Sequence, residues 1–343
     1  MAEKAYTAGE KVVEADSRFK HVMSISLNPD SNYKEGVIRC ITSRSGDLAI
    51  KGGIDRSELH KIIQSESGKF VIGERLSLKN EDEMVKKLNG TNLDLLGFED
   101  PDIFTEKETG LMHLYFTMPF HDKEFEDKSR THLGHAVGKD LNDLEMTEPV
   151  LVTDSLGNGA KELSIAPLNS KGFRYNLVES SKKGKEFIYS TVRVAEAHDM
   201  GKSWVFGDTV FDPEDCGISW IAGHASPGPL FPKSFIDLGS GKLLGIMNGC
   251  QANQKIVDDI KYGNFNIGLF IYDYENGKID WVSQEPFIQD SEAGKGGGRA
   301  ITFASQFVEM EPGKGILYAH IDDSFVRSYY LNAEELKKLI PNS

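Results

Sequence analysis

The stretch Ile267-Gly-Leu-Phe-Ile-Tyr-Asp273 is a short apolar run that ends in an aspartate. A polar turn, the large apolar residue Trp281 and a second strand-like run, Glu285-Pro-Phe-Ile288, follow it. Short runs of aromatic and β-branched residues separated by turn residues are typical of antiparallel strands. The same plan occurs twice more, in Leu133–Asp140 with Leu144 and Glu148–Leu151, and in Thr191–Asp199 with Trp204 and Thr209–Phe211. Each copy follows another strand-like run, at His113–Met118, Phe173–Val178 or Lys242–Asn248.

These repeats predict an all-β protein, a five-bladed β-propeller. The period is roughly 60 to 75 residues, which suits one four-stranded sheet per repeat stacked radially in a closed ring. The 343 residues of the chain then form five blades in one domain over 1–343. We expect an N-terminal extension over 1–20. The first and last blades are assigned to Val22–Leu27, Gly36–Thr42 and Leu48–Lys51, and to Gly315–His320 with Val326–Leu331.

Helix signals are few and short, which predicts peripheral helices only. Ser57–Gln64 carries Leu59, Ile62 and Ile63 at helical spacing. Asn80-Glu81-Asp82-Glu83 resembles a capping box and predicts a helix over Met84–Leu88. Asn332 opens a C-terminal helix over 332–341, with lysines near its end.

Composition and charge exclude several classes of partner. The chain has 39 Lys and Arg against 53 Asp and Glu residues, a formal net charge of −14. This acidity argues against nucleic acid and against an anionic membrane surface. The odd number and wide spacing of Cys40, Cys216 and Cys250 favour neither a disulfide framework nor a zinc site. The N-terminal residues lack the apolar stretch of a signal peptide, so we expect a cytoplasmic protein, and homo-oligomerisation is left open.

The segment Glu99-Asp100-Pro101 is the first candidate for chemistry. Proline fixes its own backbone and keeps the preceding residue extended, so Asp100 is held rigidly where a strand begins. Asp100 and Asp102 can share one face of that strand, and their repulsion would raise one pKa. A carboxyl group protonated near neutrality is what a general acid for glycosidic cleavage needs. The alternative is that Asp100 only caps the turn at Pro101.

Other blades also open on polar residues, namely Lys161-Glu162, His224–Gly228 and Asp322-Asp323. We expect them to converge at the mouth of the central channel, with Trp220 beside His224 as a platform for stacking a sugar. Pro227 has no N–H for an oxyanion hole, which excludes a serine-hydrolase elbow there.

Two further motifs carry no predicted chemistry. An odd spacing sends His132 and His135 to opposite faces of a strand, so no metal site is expected. The glycine-rich segment Gly294–Arg299 fits neither the phosphate-loop nor the dinucleotide pattern and is interpreted as a connection between blades.

These motifs, in this order, resemble glycoside hydrolase family 130, five-bladed propellers that phosphorolyse or hydrolyse β-mannosides. Glu99-Asp100-Pro101 is similar to the family's E-D-P-R segment, whose aspartate is the proton donor, and the resemblance gives that role to Asp100. Lys161 is similar to the lysine of the family's N-K-D segment. The stretch Ile316–Ser324 is similar to its Y-Y-G-A-A-D-T strand, which makes Asp323 a contact to sugar hydroxyls. The similarity spans Phe98 to Leu339, and in the first blade Arg39 or Arg44 are candidate sugar contacts.

The departures from the family pattern bear on the reaction. Asp102 stands where the family has an arginine, and Glu162 where it has an aspartate. The basic residues available to hold phosphate are Arg130, Lys161 and His224. A site rich in carboxylates repels phosphate, which favours hydrolysis, with Glu162 as the base that activates water opposite Asp100. Glu99 and Asp102 are then substrate contacts, and no cofactor is expected beyond inorganic phosphate if the enzyme is a phosphorylase.

Three alternatives remain open. The first is phosphorolysis of the same oligosaccharides with the same acid. The second is a furanosidase of the related families 43 and 32, with Asp30, Asp100 and Glu162 as the carboxylate trio. The third is a propeller that binds glycans or a protein partner without turnover, since a fold does not settle function.

Overall fold

The protein is an all-β ring of five blades, as the sequence predicted. A computed structural model describes residues 4–45, 54–123, 129–154, 157, 159–183, 188–256 and 259–341. The predicted strand at Leu48–Lys51 lies outside the described residues. Each blade is an antiparallel sheet with four main strands, which is the arrangement that the repeats indicated.

The strands follow one another blade by blade along the chain. The first strand, β1 (Tyr6–Glu14), belongs to the last blade. Blade 1 contains β2 (Val22–Leu27), β3 (Glu35–Ser45), β4 (Ile54–Gln64) and β5 (Phe70–Arg75). Blade 2 contains β6 (Leu93–Leu95), β7 (Glu99–Glu106), β8 (Leu111–Asp122), β9 (Ser129–Gly138) and β10 (Glu145–Met146). Blade 3 contains β11 (Lys161–Ser164), β12 (Arg174–Lys183), β13 (Ile188–Ala197) and β14 (Val205–Phe211).

The remaining strands complete the ring. Blade 4 contains β15 (His224–Leu230) and β16 (Lys242–Cys250), then a separate hairpin of β17 (Gln254–Ile256) and β18 (Asp259–Lys261), then β19 (Phe265–Asp273) and β20 (Lys278–Val282). Blade 5 contains β21 (Thr302–Glu311), β22 (Lys314–Ile321) and β23 (Phe325–Asn332), with β1 as its fourth strand. Pairing of β1 with β23 joins the two ends of the chain in one sheet. The N-terminal extension expected over 1–20 is therefore wrong for Tyr6–Glu14, which complete a blade.

Apolar side chains fill the spaces between neighbouring blades. Among the described residues, five buried clusters occur, and each joins the facing sheets of two adjacent blades. Phe231 of blade 4 packs on Phe307 of blade 5 with ring centroids 4.6 Å apart, for example. The inner strands β2, β7, β11, β15 and β21 contact one another in ring order around the central channel. Burial between sheets thus fixes the blades around the channel.

The helices are short and peripheral, as predicted. The helix α1 (Glu81–Asn89) covers the predicted span Met84–Leu88. The C-terminal helix is shorter than the predicted 332–341: α2 (Ala333–Lys337) begins after Asn332, whose side chain accepts the N–H groups of the first turn, and ends before Lys338. Two 3₁₀ turns, Pro29–Ser31 and Ser219–Ile221, complete the helical part of the described chain.

The helix predicted over Ser57–Gln64 is wrong, because these residues belong to β4. The pairing of β4 with β5 shifts register between His60 and Ile62. Leu59 and Ile62 are both buried but on opposite faces of the sheet, Leu59 against blade 2 and Ile62 against blade 5, so their spacing of three resembles a helix face without forming one.

Two outer strands begin earlier than predicted. The strand expected at Glu148–Leu151 is represented by β10 and an isolated bridge from Leu151 to Leu133. The strand expected at Glu285–Ile288 is represented by β20 and a bridge from Ile288 to Ile267.

Candidate active site in the central channel

A β-bulge interrupts the innermost strand of every blade, and the bulged residues line the central channel. The register shifts fall at Ser24, Asp100, Glu162, Gly228 and Ser305. The backbones of Ser24, Asp100 and Glu162 have φ angles of 49°, 48° and 38°. Such angles are uncommon outside glycine and cluster at functional sites, where bulges also re-aim side chains. Asp100 and Glu162 are the two bulged residues of this set that carry carboxyl groups.

Two cavities meet at one of these residues, Glu162. The N-side cavity, of about 730 Å³, lies where the innermost strands begin and is lined by Arg39, Glu162, Phe303 and Asp323. The C-side cavity, of about 600 Å³, lies toward the opposite ends of the strands. Its lining includes all five bulged residues, together with Asp102. Glu162 therefore lines both cavities, and each has the size of a small-ligand site.

One arginine holds the carboxylates of the E-D-P segment. The guanidinium of Arg39 donates to Glu99 at 2.6 Å and to Asp100 at 3.0 Å, and its Nε donates to the Ser57 hydroxyl at 3.0 Å. The Ser24 hydroxyl donates to the second of these carboxylates, Asp100, at 2.9 Å. Burial alone would lower the pKa of Arg39, but the two carboxylates raise it. Burial also raises the pKa of Glu99, against the pull of Arg39.

Glu162 has a different environment. Its pKa is raised well above the ordinary value by burial, and then by the nearby carboxylates of Asp100, Glu179 and Asp102. In the described part of the chain, no lysine or arginine forms an ion pair with it. Burial and the charge of Asp100 likewise raise the pKa of Asp102, although the Leu163 N–H donates to it. Glu99 and Asp100 are thus paired with a cation, whereas Glu162 and Asp102 favour the protonated form.

Glu179 on β12 interacts with two of the three basic residues that the sequence offered for phosphate, His224 by contact and Lys161 electrostatically. Its carboxylate lies 3.2 Å from His224 Nε2 and accepts the Ser190 hydroxyl at 2.8 Å. Burial would raise the pKa of Glu179, but His224 and Lys161 lower it to about 2. The pKa of Lys161 is raised, because Glu179 and Glu99 outweigh the effect of its own burial. The sequence analysis did not predict Glu179 as a site residue. The one feature of the sequence that could have indicated it is a charged residue in the middle of a strand that is otherwise buried.

Asp323 lies at the rim of the N-side cavity. Asp322 and Asp323 have φ angles of 49° and 51°, and the Ser324 N–H donates to Ile321 across them, which is the geometry of a type I′ hairpin turn. Asp323 lies 3.5 Å from Arg44 and 3.5 Å from His320. Both arginines that the sequence proposed as sugar contacts, Arg39 and Arg44, line this cavity.

Three residues proposed from the sequence lie elsewhere. Trp220 is wrong as a sugar platform: it is 3% exposed, packs in the core between blades 3 and 4, and donates its indole N–H to the Ser283 carbonyl at 2.9 Å. Arg130 is exposed on β9 and lines neither cavity. Asp30 is exposed in a 3₁₀ turn and accepts the Thr105 hydroxyl, so it does not join a carboxylate trio.

His132 and His135 on β9 are the remaining pair of candidate ligands noted in the sequence. His135 is hydrogen-bonded to His113 at 2.9 Å, whereas His132 accepts the Thr153 N–H at 3.0 Å, so the two histidines of β9 have separate partners. Among the residues that the structure describes, no group of three His, Cys, Asp or Glu side chains is arranged to hold a metal ion. The described helices include none that is long and apolar enough to cross a membrane.

This chain matches known proteins in structure but not in sequence. No protein-family model and no curated protein matches the sequence. A solved glycoside hydrolase family 130 structure, described as targeting β-1,2 mannosidic linkages in Candida mannan, is similar with a TM-score of 0.67 and 16% identity, over 97% of this chain and 95% of that one.

Two other solved structures are similar over nearly the whole chain. The β-1,2-mannobiose phosphorylase from Listeria innocua has a TM-score of 0.60 and 11% identity, over 98% of this chain and 94% of that one. The α-L-arabinofuranosidase domain of family 62 from Coprinopsis cinerea has a TM-score of 0.51 and 10% identity, over 96% and 98%. The chain therefore has the five-bladed fold of glycoside phosphorylases and hydrolases, and its resemblance to family 130 propellers is confirmed at the level of fold.

Proposed function

We propose that the protein is a glycosidase that hydrolyses a β-mannoside-like oligosaccharide in the central channel, with Asp100 and Glu162 as its catalytic carboxyl groups. The observation that carries this proposal is their pairing in adjacent bulges: Asp100 is bound by Arg39 and Ser24, while Glu162 is half-buried and forms no ion pair with a lysine or arginine of the described residues. Two carboxyl groups in opposite protonation states are what glycosidic cleavage requires.

We assign the two roles in the reverse of the order expected from the sequence. Glu162 is the better proton donor, because its pKa is raised by burial and by neighbouring carboxylates. Asp100 is bound by a guanidinium and a hydroxyl, which suits a carboxylate that activates water or stabilises positive charge on the sugar. A separation of about 6.5–9.5 Å between the two carboxyl groups would give inversion, and about 5–5.5 Å retention.

Hydrolysis fits the charges around this pair better than phosphorolysis does. Arg39 is bound to Glu99 and Asp100, and both Lys161 and His224 interact with Glu179. A phosphate dianion beside Asp100 would have to compete with these carboxylates for Arg39, Lys161 and His224, and it would be repelled by the carboxylates.

The nature of the substrate is inferred from the fold and the cavity. The similar structures of family 130 are described as acting on β-1,2 mannosidic linkages. In this chain Asp323 and Arg44, at the rim of the N-side cavity, offer acceptors and donors for sugar hydroxyls. A furanosidase is less well supported, because the first blade places Ser24, and not a carboxylate, at the bulge.

The test is to incubate the purified protein with β-1,2-mannobiose, other β-mannosides and aryl glycosides, with and without phosphate. We expect free sugar in both conditions, and loss of activity in both Asp100→Asn and Glu162→Gln. With an activated aryl leaving group, Glu162→Gln should retain more activity than Asp100→Asn, since a good leaving group needs no proton. Lys278→Gln, which changes an exposed residue of β20, is the matched control.

The other outcomes separate the alternatives. Sugar 1-phosphate formed only with phosphate would establish phosphorolysis. Cleavage of arabinofuranosides alone would establish a furanosidase. Glycan binding that is equal in the wild type and both variants, with no turnover, would establish a binding module. The cytoplasmic location and the homo-oligomer left open by the sequence stay predictions, to be tested by cell fractionation and light scattering.

A further inference from the structure

Arg299, at the end of the glycine-rich segment, faces the same cavity as Glu162. The segment Gly294–Arg299 connects blades 4 and 5, as the sequence predicted, but it also forms part of the wall of the N-side cavity. The Asp322 carboxylate fixes it by accepting the N–H groups of Gly294 and Ile301, both at 2.8 Å. The wall is therefore anchored at both ends by one turn residue of blade 5.

The guanidinium of Arg299 is held in place by groups without negative charge. Its Nε donates to the Gly263 carbonyl at 2.5 Å, and its Nη2 lies 2.7 Å from Cys250 Sγ. Its central carbon lies 4.3 Å from the centroid of the Phe265 ring, a cation–π contact. These contacts fix the orientation of the guanidinium and leave Nη1 without a protein partner in the described residues.

The other arginines of this cavity are neutralised. Arg39 is paired with Glu99 and Asp100, and Arg44 is paired with Asp55 at 2.7 Å and lies near Asp323. No carboxylate in the described part of the chain forms an ion pair with Arg299.

Apart from Glu162, the acidic residues that line the cavity are also engaged. Glu292 is bound by Lys11 and Arg327, and Asp322 by backbone N–H groups. Arg299 therefore carries a positive charge that the protein itself does not balance at contact distance. Lys295 in the same segment is an exposed second cation at this wall.

We propose that Arg299 forms a subsite for an anionic substituent of a sugar, a carboxylate or a phosphate ester, in the N-side cavity that Glu162 also lines. This inference rests on the proposed function and narrows its substrate class to oligosaccharides with an acidic unit. A planar guanidinium in a fixed orientation binds such oxyanions through charge-assisted hydrogen bonds. Because the protein has a net charge of −14, short contacts and not long-range attraction must supply the selectivity.

The experiment compares the binding of four probes by calorimetry: mannose, mannuronic acid, mannose 6-phosphate and inorganic phosphate. None of the monosaccharides can be cleaved, so binding is measured without turnover. We expect at least one of the two anionic sugars to bind about tenfold more tightly than mannose, the usual gain from one charged hydrogen bond. Which of the two binds identifies the source of the anion.

Three variants test the assignment. Arg299→Gln should remove the preference, and Arg299→Lys should keep only part of it, because lysine lacks the planar fork. Lys278→Gln should leave it unchanged. Circular dichroism and the melting temperature of each variant show whether the loss of packing on Phe265 has affected the fold.

Three results would overturn the proposal: equal binding of mannose and both anionic sugars, a preference that survives in Arg299→Gln, or Arg299-dependent binding of inorganic phosphate as tight as that of either sugar. Its failure is distinguishable from that of the proposed function. Hydrolysis of neutral mannosides without an anionic preference would refute only the subsite, and an anionic preference without hydrolysis would refute only the enzyme.

Discussion

Replacing Arg39 by methionine removes the one cation that contacts both Glu99 and Asp100. The side chains of these residues are only 12%, 9% and 8% exposed, so solvent cannot take over the role of the guanidinium. Removing one partner of a buried ion pair costs about 3–5 kcal/mol, because the remaining charge is left uncompensated. We expect Arg39→Met to lower the free energy of unfolding by about this amount at pH 7.

The same reasoning gives the sign of the pH dependence. Arg39 lowers the pKa of Glu99 against the effect of burial, so the variant has a folded-state pKa further above the unfolded one. The stability of a group with a raised pKa is fully present below the unfolded pKa and is lost as the pH rises through the folded pKa. The deficit of the variant should therefore be smaller at pH 5 than at pH 7.

Urea unfolding at both pH values measures this difference. Arg39→Met/Glu99→Gln should recover part of the loss, because one of the uncompensated charges is gone. Arg56→Met is the control: its ion pair with Asp94 is exposed, and its loss should cost no more than about 1 kcal/mol. A cost below about 1 kcal/mol for Arg39→Met, or one that does not change with pH, would refute the reasoning.

Three other predictions concern the scaffold. Burial lowers the pKa of His135 to about 3, so the stability that the neutral side chain contributes is present above pH 6.5 and falls toward pH 3, with about 2 kcal/mol lost at pH 5. Urea titrations should show this loss of stability with falling pH, and His135→Gln should make it smaller. An equal pH dependence in both proteins would contradict the prediction. Gly97→Ala should lower the free energy of unfolding by about 2–5 kcal/mol, because Gly97 has φ 133° and a Cβ would lie 2.0 Å from the Ser57 carbonyl oxygen. Gly68→Ala, with open space at φ 84°, should lower it less. Equal losses in urea unfolding would contradict the prediction. Trp220→Phe should lower the melting temperature by removing a buried hydrogen bond and leaving a cavity, with KM unchanged; a raised KM at unchanged stability would return Trp220 to the sugar site.

The blades could be predicted from the sequence because they repeat a local pattern. The strand pairs around Asp140, Asp199 and Asp273 are marked by apolar runs and turn residues that need no distant contact. The misassigned segment Ser57–Gln64 shows the limit of such patterns. Both faces of the blade are buried, Leu59 packing against blade 2 and Ile62 against blade 5, and the sequence of one strand does not show that both of its faces will be covered.

The candidate site was predictable where the backbone carries the signal. Asp100 is marked by Pro101 and lies in the channel, but the extended backbone predicted for it is wrong, because it lies in a bulge with a φ of 48°. The sequence suggested that Trp220 stacks on a sugar but did not show which way its side chain points. A 3₁₀ turn buries this side chain between two blades. Ser24 is an ordinary residue in the sequence, and only the ring brings its bulge beside that of Asp100.

The partners of the candidate site could not be found from one sequence. Glu179 lies on β12 and meets His224 of the next blade, a contact between residues far apart in the chain. Arg299 was assigned to a connection, which is correct, but its position in the cavity wall depends on the turn at Asp322. Such contacts across blades are set by closure of the ring.

The dependence of kcat/KM on pH for an unactivated aryl mannoside, whose leaving group needs a proton, tests the central claim most directly. If Glu162 donates the proton, the wild type should lose activity as the pH rises through the raised pKa of this group, above the ordinary range of a glutamate. Glu162→Gln should lack this alkaline limb, while Asp100→Asn should retain it at a lower rate. An alkaline limb that persists in Glu162→Gln and disappears in Asp100→Asn would contradict the assignment and make Asp100 the acid.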